Sequence, residues 1–242
     1  MARCELTHLA RAPIDLGLAR EQHARYTAAL ASLGCTILDL DEEPDLPDSV
    51  FVEDTVVVLD EVAVITRPGA ASRRSEVEPV ARALARWRPC VRVVEPDTLD
   101  GGDVMVVDRD VYVGRSGRTT EAGIAQFAAA IAPFGYRAIP VRIRGCLHLK
   151  SAVTCLDPET LLVNDNWVDR ADLPALRFVA VAPDEPHAAN ALCVGRSVLH
   201  AASGPRTGER IEAAGFRVLP VDVSEMEKAE GAVTCCSVII RG

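Results

Sequence analysis

Three residues of the sequence could together carry out covalent catalysis. Cys235 lies in the β-branched run 231–240, His148 stands between two leucines, and Asp100 precedes a pair of glycines. A thiol, an imidazole and a carboxylate are the nucleophile, the general acid or base, and the orienting group that such catalysis needs. Taken singly, each also fits a structural role, as a small apolar side chain, a hydrogen-bonded core residue or a cap of backbone amides. Their combination favours the catalytic interpretation.

A second acidic group, formed by Asp48, Glu53 and Asp54, precedes the apolar strand predicted over 55–59. The chain carries a formal net charge of −9, from 35 acidic and 26 basic side chains. This balance argues against binding to a nucleic-acid backbone, which usually requires a basic patch. A negatively charged cleft instead favours a small cationic substrate.

A zinc site is the competing explanation for the cysteines and the histidine. The sequence contains no Cys-x-x-Cys or His-x-x-x-His pair of the kind that is typical of zinc ligands. The adjacent Cys235 and Cys236 could bind a metal ion adventitiously. We nevertheless expect a site without metal or cofactor.

The elements that must position these residues form a repeat. Each unit consists of two short strands, a helix and a third strand, and it recurs about every 45 to 50 residues, a period typical of propellers and repeat arrays. The helices end at glycine or proline, where a helix stop is expected. The third unit has only a weak helix, at about 170–176. The strand pairs are predicted over 55–59 with 62–66, 104–107 with 111–113, 152–156 with 161–163, and 191–194 with 198–201.

The fifth unit is predicted to be split between the two ends of the chain. Residues 233–240 would form a strand that pairs with 4–10, and the chain would continue into a helix from about Ala19. This pairing would close a ring and remove exposed sheet edges. In such a strand Cys235 and Cys236 point to opposite faces, so we expect Cys236 to be structural. We therefore predict a single domain over 1–242, an α/β five-bladed propeller whose unit starts face a central channel; an α/β sandwich is the alternative.

The composition sets further limits. A chain of 242 residues with 49% hydrophobic content can form a substantial core. Its eight cysteines are irregularly spaced and do not indicate a disulfide framework. The N-terminus lacks the apolar region of a signal peptide, and no run is long enough to cross a bilayer. We expect a cytoplasmic protein, without membrane or nucleic-acid partners, that is a monomer or a homodimer.

Five segments resemble the signature blocks of the dimethylarginine dimethylaminohydrolase family, which belongs to the pentein, or guanidine-modifying, superfamily. The resemblance implies a five-bladed α/β propeller. It also implies hydrolysis of asymmetric dimethylarginine or monomethylarginine to citrulline and dimethylamine or methylamine, through an S-alkylthiouronium intermediate and without a cofactor. The segments follow the family's order: Phe-Val-Glu-Asp (51–54), Ile-Thr-Arg-Pro-Gly-Ala-Ala-Ser-Arg-Arg (65–74), Leu-Asp-Gly-Gly-Asp-Val (99–104), Leu-His-Leu-Lys-Ser (147–151) and Thr-Cys-Cys-Ser-Val (234–238).

The same resemblance assigns roles to single residues. Cys235 matches the nucleophile, His148 the general acid/base, and Asp100 the carboxylate that orients the histidine. The positions that match substrate contacts are Asp54 with Glu53 for the guanidinium, Asp48 as a further carboxylate, Arg73 and Arg118 for the substrate carboxylate, Ala229 through its backbone, and Leu18 as a cover. The family's lid loop is short in this chain, between residues 11 and 20, and Leu16 is the alternative cover.

Two other functions remain open. An arginine deiminase or another amidine hydrolase would share the cysteine, the histidine and the acidic residues. Arg73 and Arg118 favour a substrate with an α-carboxylate over agmatine, because a carboxylate pairs with the guanidinium fork. The chain is also short for a deiminase with an inserted helical domain. A non-catalytic, ribosome-binding propeller of the same fold would need none of the catalytic residues.

Overall fold

Four small three-stranded sheets follow one another along the chain in a computed structural model, which describes residues 1–174 and 177–241. In each sheet the first two strands are antiparallel and the third lies parallel to the second. The strands are β1 (Val56–Val58), β2 (Ala63–Ile65) and β3 (Cys90–Arg92); β4 (Val104–Val107), β5 (Asp110–Arg115) and β6 (Arg137–Arg142); β7 (Val153–Asp157), β8 (Thr160–Val163) and β9 (Arg177–Ala180); and β10 (Ala191–Val194), β11 (Ser197–Ala201) and β12 (Arg217–Val221).

Tight turns join the antiparallel strands, and longer crossovers lead to the parallel ones. Asp108 takes a φ of 53° in the turn between β4 and β5, a conformation that aspartate tolerates. Crossovers are required because parallel strands cannot be joined by a short hairpin. The helices are α1 (Leu16–Ser32), α2 (Val77–Leu84), α3 (Glu121–Ile131), α4 (Leu149–Ala152), α5 (Pro205–Ala213) and α6 (Ser224–Glu227).

The crossovers of the first, second and fourth sheets contain α2, α3 and α5. In the third sheet, the weak helix predicted over 170–176 is a 3-10 turn at Arg170–Asp172. The last two residues of that prediction, 175 and 176, lie outside the described residues.

Buried apolar side chains hold neighbouring sheets together. One cluster joins the first and second sheets, another the second and third, and another the third and fourth. Burial of apolar surface is the main favourable term in folding, so the sheets stabilise one another in chain order. Val64 and Val111 belong to the first of these clusters, Tyr112 and Leu161 to the second, and Leu162 and Val198 to the third.

The C-terminal run packs against both the fourth and the first sheets. Val233 and Cys236 share a buried cluster with Leu199 of β11 and Tyr26 of α1. Further along the run, Val238 and Ile240 pack against the cluster formed by the first sheet and α2. The two ends of the series of sheets are therefore connected through α1 and this run.

The predicted strand over 233–240, paired with 4–10, is wrong, because neither run is a strand. The backbone of the C-terminal run finds other partners. The hydroxyl of Tyr26 donates to the carbonyl of Val233 (2.7 Å), and the N–H of Thr234 donates to Oδ1 of Asn190 (3.0 Å). The helix predicted from about Ala19 is present and begins at Leu16. The described residues thus form four sheets, and the fifth predicted unit contains no sheet.

In the described parts of the chain, no helix has both the length and the apolar character that a membrane span requires.

Candidate active site

One cleft brings together residues from the starts of three sheets and from the C-terminal run. Asp54 lies in a 3-10 turn directly before β1, and Asp100 precedes another such turn before β4. His148 occupies the N-cap position of the short helix α4, which leads into β7. The cleft is lined by Glu5, Asp48, Phe51, Asp54, Arg73, Asp100, Arg118, Leu147, His148, Ala229, Glu230, Gly231 and Cys235.

His148 is held between two aspartates. Its Nε2 lies 2.9 Å from Oδ2 of Asp100, and its Nδ1 lies 3.8 Å from Oδ1 of Asp54. The glycine at position 102 permits this approach: a Cβ there would lie 2.5 Å from Nδ1 of His148 and 2.7 Å from Oδ1 of Asp54. Gly102 also donates its N–H to Asp54 (3.0 Å). Glycine at position 102 is therefore a requirement of the site.

The charges of this group reinforce one another. Burial would lower the pKa of His148, but the charge of Asp54 and the hydrogen bond that the imidazolium donates to Asp100 outweigh burial and raise the pKa to about 9. Burial would raise the pKa of Asp54, but the charges of His148 and Arg73 lower it to about 2. At neutral pH the imidazole is therefore protonated and the carboxylate is ionised.

Cys235 lies in a turn, with its N–H donated to the carbonyl of Ala232 (3.2 Å) and its Sγ accepting from the N–H of Ala232 (3.3 Å). Burial and the nearby carboxylates of Glu53 and Asp54 raise the pKa of this thiol well above its ordinary value. Cys236 is a buried member of the cluster around α1, against which Cys235 also packs, and only Cys235 of the two lines the cleft. The structural role of Cys236 stays a prediction.

The two predicted substrate arginines differ in their partners. Arg73 is buried and forms ion pairs with Asp54 (Nη1–Oδ2, 2.6 Å) and Glu76 (Nε–Oε2, 2.9 Å). It also donates to the carbonyl of Phe51 (3.1 Å). Arg118 also lines the cleft, and its Nη2 donates to Oγ1 of Thr7 (2.6 Å). Arg73 therefore orients Asp54 in this structure.

Two predicted substrate contacts do not line the cleft. Glu53 turns its carboxylate to Lys150 and Thr234. Leu18, like its alternative Leu16, lies in the first turn of α1, which Asp15 caps by accepting the N–H of Leu18 (3.1 Å). Residues 16–20 therefore belong to a helix, and only residues 11–15 of the predicted lid lie outside regular secondary structure.

The N-terminal segment 5–9 lies at the cleft instead, a placement that the sequence analysis missed. The N–H of Glu5 donates to Oδ2 of Asp48 (2.9 Å). Glu230, at a positive φ of 59°, accepts the N–H groups of three consecutive residues, Thr7 (2.8 Å), His8 and Leu9 (2.6 Å). In the sequence, Glu230 is a single acidic residue beside the predicted contact Ala229, and this pattern does not indicate that its carboxylate would hold the segment.

Asp54, Asp100 and His148 could also be read as a metal site, since one ligand atom from each lies within 4.8 Å of the others. The protonation state of His148 argues against metal binding there. Metal binding needs a neutral imidazole, whereas the pKa of His148 is raised to about 9. The geometry suits proton transfer better than metal coordination.

Comparison with known proteins agrees with the resemblance found in the sequence. Residues 12–173 match a family model described as N,N dimethylarginine dimethylhydrolase, eukaryotic. The N(G),N(G)-dimethylarginine dimethylaminohydrolase of Streptomyces coelicolor is 47% identical over 239 residues, which cover 98% of this chain and 91% of the relative.

Solved structures of similar proteins carry ligands related to citrulline. The dimethylarginine dimethylaminohydrolase of Pseudomonas aeruginosa, a cysteine-to-serine mutant in complex with citrulline, is 35% identical with a TM-score of 0.89 and covers 96% of this chain and 91% of its own. A dimethylarginine dimethylaminohydrolase adduct with S-methyl-L-thiocitrulline is 36% identical with a TM-score of 0.91, and covers 96% and 92% of the two chains. By these matches, the chain belongs to the dimethylarginine dimethylaminohydrolase family.

Proposed function

We propose that this protein hydrolyses N-omega-methylated arginines, asymmetric dimethylarginine and monomethylarginine, to L-citrulline and dimethylamine or methylamine. One observation carries the proposal: a single cleft contains Cys235, a protonated His148 and the ionised carboxylate of Asp54. Membership of the family supports the reaction, and the citrulline complex and the thiocitrulline adduct of the relatives support a guanidino amino acid as substrate.

The substrate cation is expected to activate the nucleophile. A guanidinium is planar and resonance-stabilised, so Asp54 and Asp48 would hold it flat against Sγ of Cys235, and this positioning supplies much of the rate enhancement. In the free protein the thiol keeps its proton, because burial, Glu53 and Asp54 raise its pKa. A bound cation next to the sulfur offsets these negative charges and favours the thiolate.

His148 then moves protons in both halves of the reaction. Because His148 is already protonated, the thiol releases its proton to solvent when the substrate binds. The thiolate attacks the central guanidinium carbon, and the imidazolium gives its proton to the departing amine, which leaves an S-alkylthiouronium. The neutral imidazole next takes a proton from the attacking water, and citrulline and the thiol are released. Proton transfer by a positioned side chain contributes about 10²- to 10⁴-fold in rate.

Arg118 is the better candidate for the α-carboxylate of the substrate. A guanidinium has five N–H donors, so the bond from Arg118 to Thr7 leaves donors for a carboxylate. Arg73 is committed to Asp54 and Glu76, and its role is to orient the acidic clamp. The backbone of Ala229, which lines the cleft beside Glu230, remains a proposed contact.

The chain is proposed to form a single domain over 1–242 with a five-bladed plan. The four sheets supply four blades. The fifth would consist of α1 and the C-terminal run, which pack against both the fourth and the first sheets. A cytoplasmic location and a monomeric or homodimeric state complete this proposal.

Release of the ureido product from asymmetric dimethylarginine, monomethylarginine, arginine and agmatine, assayed in parallel, tests the function; this product is citrulline from the three arginines and carbamoylputrescine from agmatine. Cys235→Ser is the blank and Cys236→Ser is the matched control, because the change is the same but Cys236 lies outside the cleft. We expect citrulline from the methylated substrates with the wild type and the control only. Preferential turnover of arginine would assign the protein to the deiminases instead. Absence of turnover with all four compounds would refute the proposed function.

A further inference from the structure

A buried hydrogen-bonded network lies behind the cleft and joins the two catalytic segments. Its members are Asn190, Thr234, Glu53 and Lys150. Thr234 directly precedes Cys235, and Lys150 follows His148 by two residues. Asn190 comes from a third part of the chain, directly before β10. None of the four residues lines the cleft.

The amide of Asn190 is the link between the segments. Its Oδ1 accepts the backbone N–H of Thr234 (3.0 Å). Its Nδ2 donates to the carbonyl oxygen of Lys150 (3.1 Å) and to Oγ1 of Thr234 (2.9 Å). One side chain thus holds the backbone beside the proposed nucleophile and the backbone beside the proposed acid at a fixed separation.

Glu53 completes the network through both oxygens of its carboxylate. One of its carboxylate oxygens accepts from Nζ of Lys150 and the other from the hydroxyl of Thr234 (2.7 Å). The backbone N–H of Glu53 also donates to the carbonyl of Cys235 (3.2 Å). Each side-chain oxygen and nitrogen of Asn190, Thr234 and Glu53 has a partner in this network, and satisfied buried networks rigidify their surroundings and specify one arrangement.

The network fixes the turn that presents the sulfur. Thr234 lies inside the turn from Ala232 to Cys235, and the N–H of Ala232 points at Sγ of Cys235 (3.3 Å). If the anchor on Thr234 is lost, this turn can shift relative to His148. A displacement of about 1 Å at an active site can reduce the rate by about 100-fold.

We propose that Asn190 is a positioning residue for the reaction, whose side-chain amide sets the geometry between Cys235 and His148. The inference rests on the proposed function, since it assigns these two residues their roles. Asn190 does not touch the substrate. It acts on the rate through Thr234 and Lys150.

Asn190→Ala, compared with Thr154→Val, separates positioning from stability. Thr154 donates a buried hydrogen bond of similar length to the carbonyl of Ala189 (2.7 Å), next to Asn190 in sequence, and contacts neither catalytic segment through it. Both variants are expected to melt at lower temperature than the wild type. Only Asn190→Ala is expected to lose kcat, by about 10- to 100-fold, with KM changed far less. A wild-type kcat in Asn190→Ala, or an equal loss in Thr154→Val, would overturn the proposal.

A second pair of variants covers the case in which Asn190→Ala does not fold. Thr234→Val removes the hydroxyl that Asn190 and Glu53 share, and Thr234→Ser keeps it. The valine variant should lose kcat and the serine variant should recover most of it. Equal activity of the two would count against the network.

A measurement that needs no substrate tests the positioning of Cys235 independently of the proposed function. The rate at which iodoacetamide alkylates Cys235, quantified by peptide fragmentation, should fall several-fold in Asn190→Ala, because a displaced turn no longer offers the N–H of Ala232 to the thiolate. It should stay unchanged in Thr154→Val. If the wild type hydrolyses no guanidine, the proposed function fails, whereas this comparison still supports or refutes the positioning of Cys235. Equal alkylation rates in the two variants would refute it.

Discussion

Replacing Asp100 with asparagine tests whether this carboxylate sets the protonation state of His148. The two side chains are buried, and Oδ2 of Asp100 lies 2.9 Å from Nε2 of His148. The other oxygen, Oδ1, accepts the N–H of Gly69 (2.8 Å). An asparagine that keeps its oxygen towards Gly69 must turn its NH₂ group towards His148. The imidazole then has to accept a hydrogen bond, which only its neutral form can do.

The expected shift follows from the lost interaction. A hydrogen bond to a charged group contributes about 1.5 to 3 kcal/mol, and one pKa unit corresponds to about 1.4 kcal/mol. Asp54 still favours the imidazolium in the variant. We therefore expect the pKa of His148 to fall from about 9 by about one to two units in Asp100→Asn.

Two measurements check this value. Proton NMR of the imidazole Cε1–H, titrated from about pH 6 to about pH 10, gives the pKa directly, and the spectrum of His148→Ala assigns the signal. Citrulline release over the same range should show the alkaline limb of kcat shifted to lower pH by the same amount, because the leaving amine needs the imidazolium.

Asp110→Asn is the matched control. Asp110 also pairs with a cation at 2.9 Å, the guanidinium of Arg137, but on the surface. The same substitution there removes one negative charge without touching His148, so the pKa should stay near that of the wild type. An unchanged NMR pKa for His148 in Asp100→Asn would refute the reasoning.

The pKa of His148 also links stability to pH. Its pKa in the folded protein, about 9, lies above the ordinary value of 6.5. The imidazolium therefore stabilises the folded state fully below pH 6.5, and this contribution disappears as the pH rises through about 9. In Asp100→Asn this contribution should be smaller and should be lost completely at a lower pH than in the wild type, which urea unfolding at several pH values would reveal.

Three further outcomes are expected. Cys236→Ser should lower the melting temperature, because burial of a hydroxyl costs about 1 to 3 kcal/mol, and should retain citrulline release; loss of activity in a folded variant would contradict this. Glu230→Ala should accelerate hydrogen exchange of the amides of residues 7–9, which its carboxylate accepts; unchanged exchange would show that the segment is held otherwise. Burial raises the pKa of Glu76 from 4.5 to about 7, so its ionisation destabilises the fold as the pH rises through that interval, and Glu76→Gln should flatten the pH dependence of urea unfolding; equal slopes would contradict this.

The four sheets could be predicted because their signals are local. Each strand pair is a short apolar run interrupted by turn residues, such as Asp108 between β4 and β5, and the pairs observed fall within or close to the predicted ranges. Each helix stop at glycine marks the return to the next strand, as at Gly135, which has a φ of 80°. Patterns of this kind depend only on neighbours in sequence.

The fifth unit could not be predicted in the same way. The run 233–240 has the β-branched composition of a strand, but its partners come from distant parts of the chain. Tyr26 lies 207 residues from Val233, and Asn190 lies 44 residues from Thr234. β-propensity describes how a side chain fits a packed surface, so composition alone cannot show that side chains will take the place of a neighbouring strand.

The residues of the site also divide into those with a local signal in the sequence and those without one. The Gly-Gly pair after Asp100 is visible in the sequence, and glycine permits close approach of the backbone; in the structure Gly102 lies against His148 and Asp54. Asn190 carries no comparable signal, because one asparagine before an apolar strand is common in any turn. Its importance depends on two segments that meet only in the folded chain.

The acidic surroundings of Cys235 look unfavourable for a nucleophile, yet they suit a cationic substrate. Burial, together with Glu53 and Asp54, raises the pKa of the thiol and keeps it protonated in the free protein, so it should react slowly with neutral electrophiles. A guanidinium that pairs with Asp54 binds in the cleft, and its positive charge also favours deprotonation of the thiol. Citrulline is neutral, so it loses that ion pair while Asp54 remains ionised. The same carboxylates that select the substrate therefore favour release of the product.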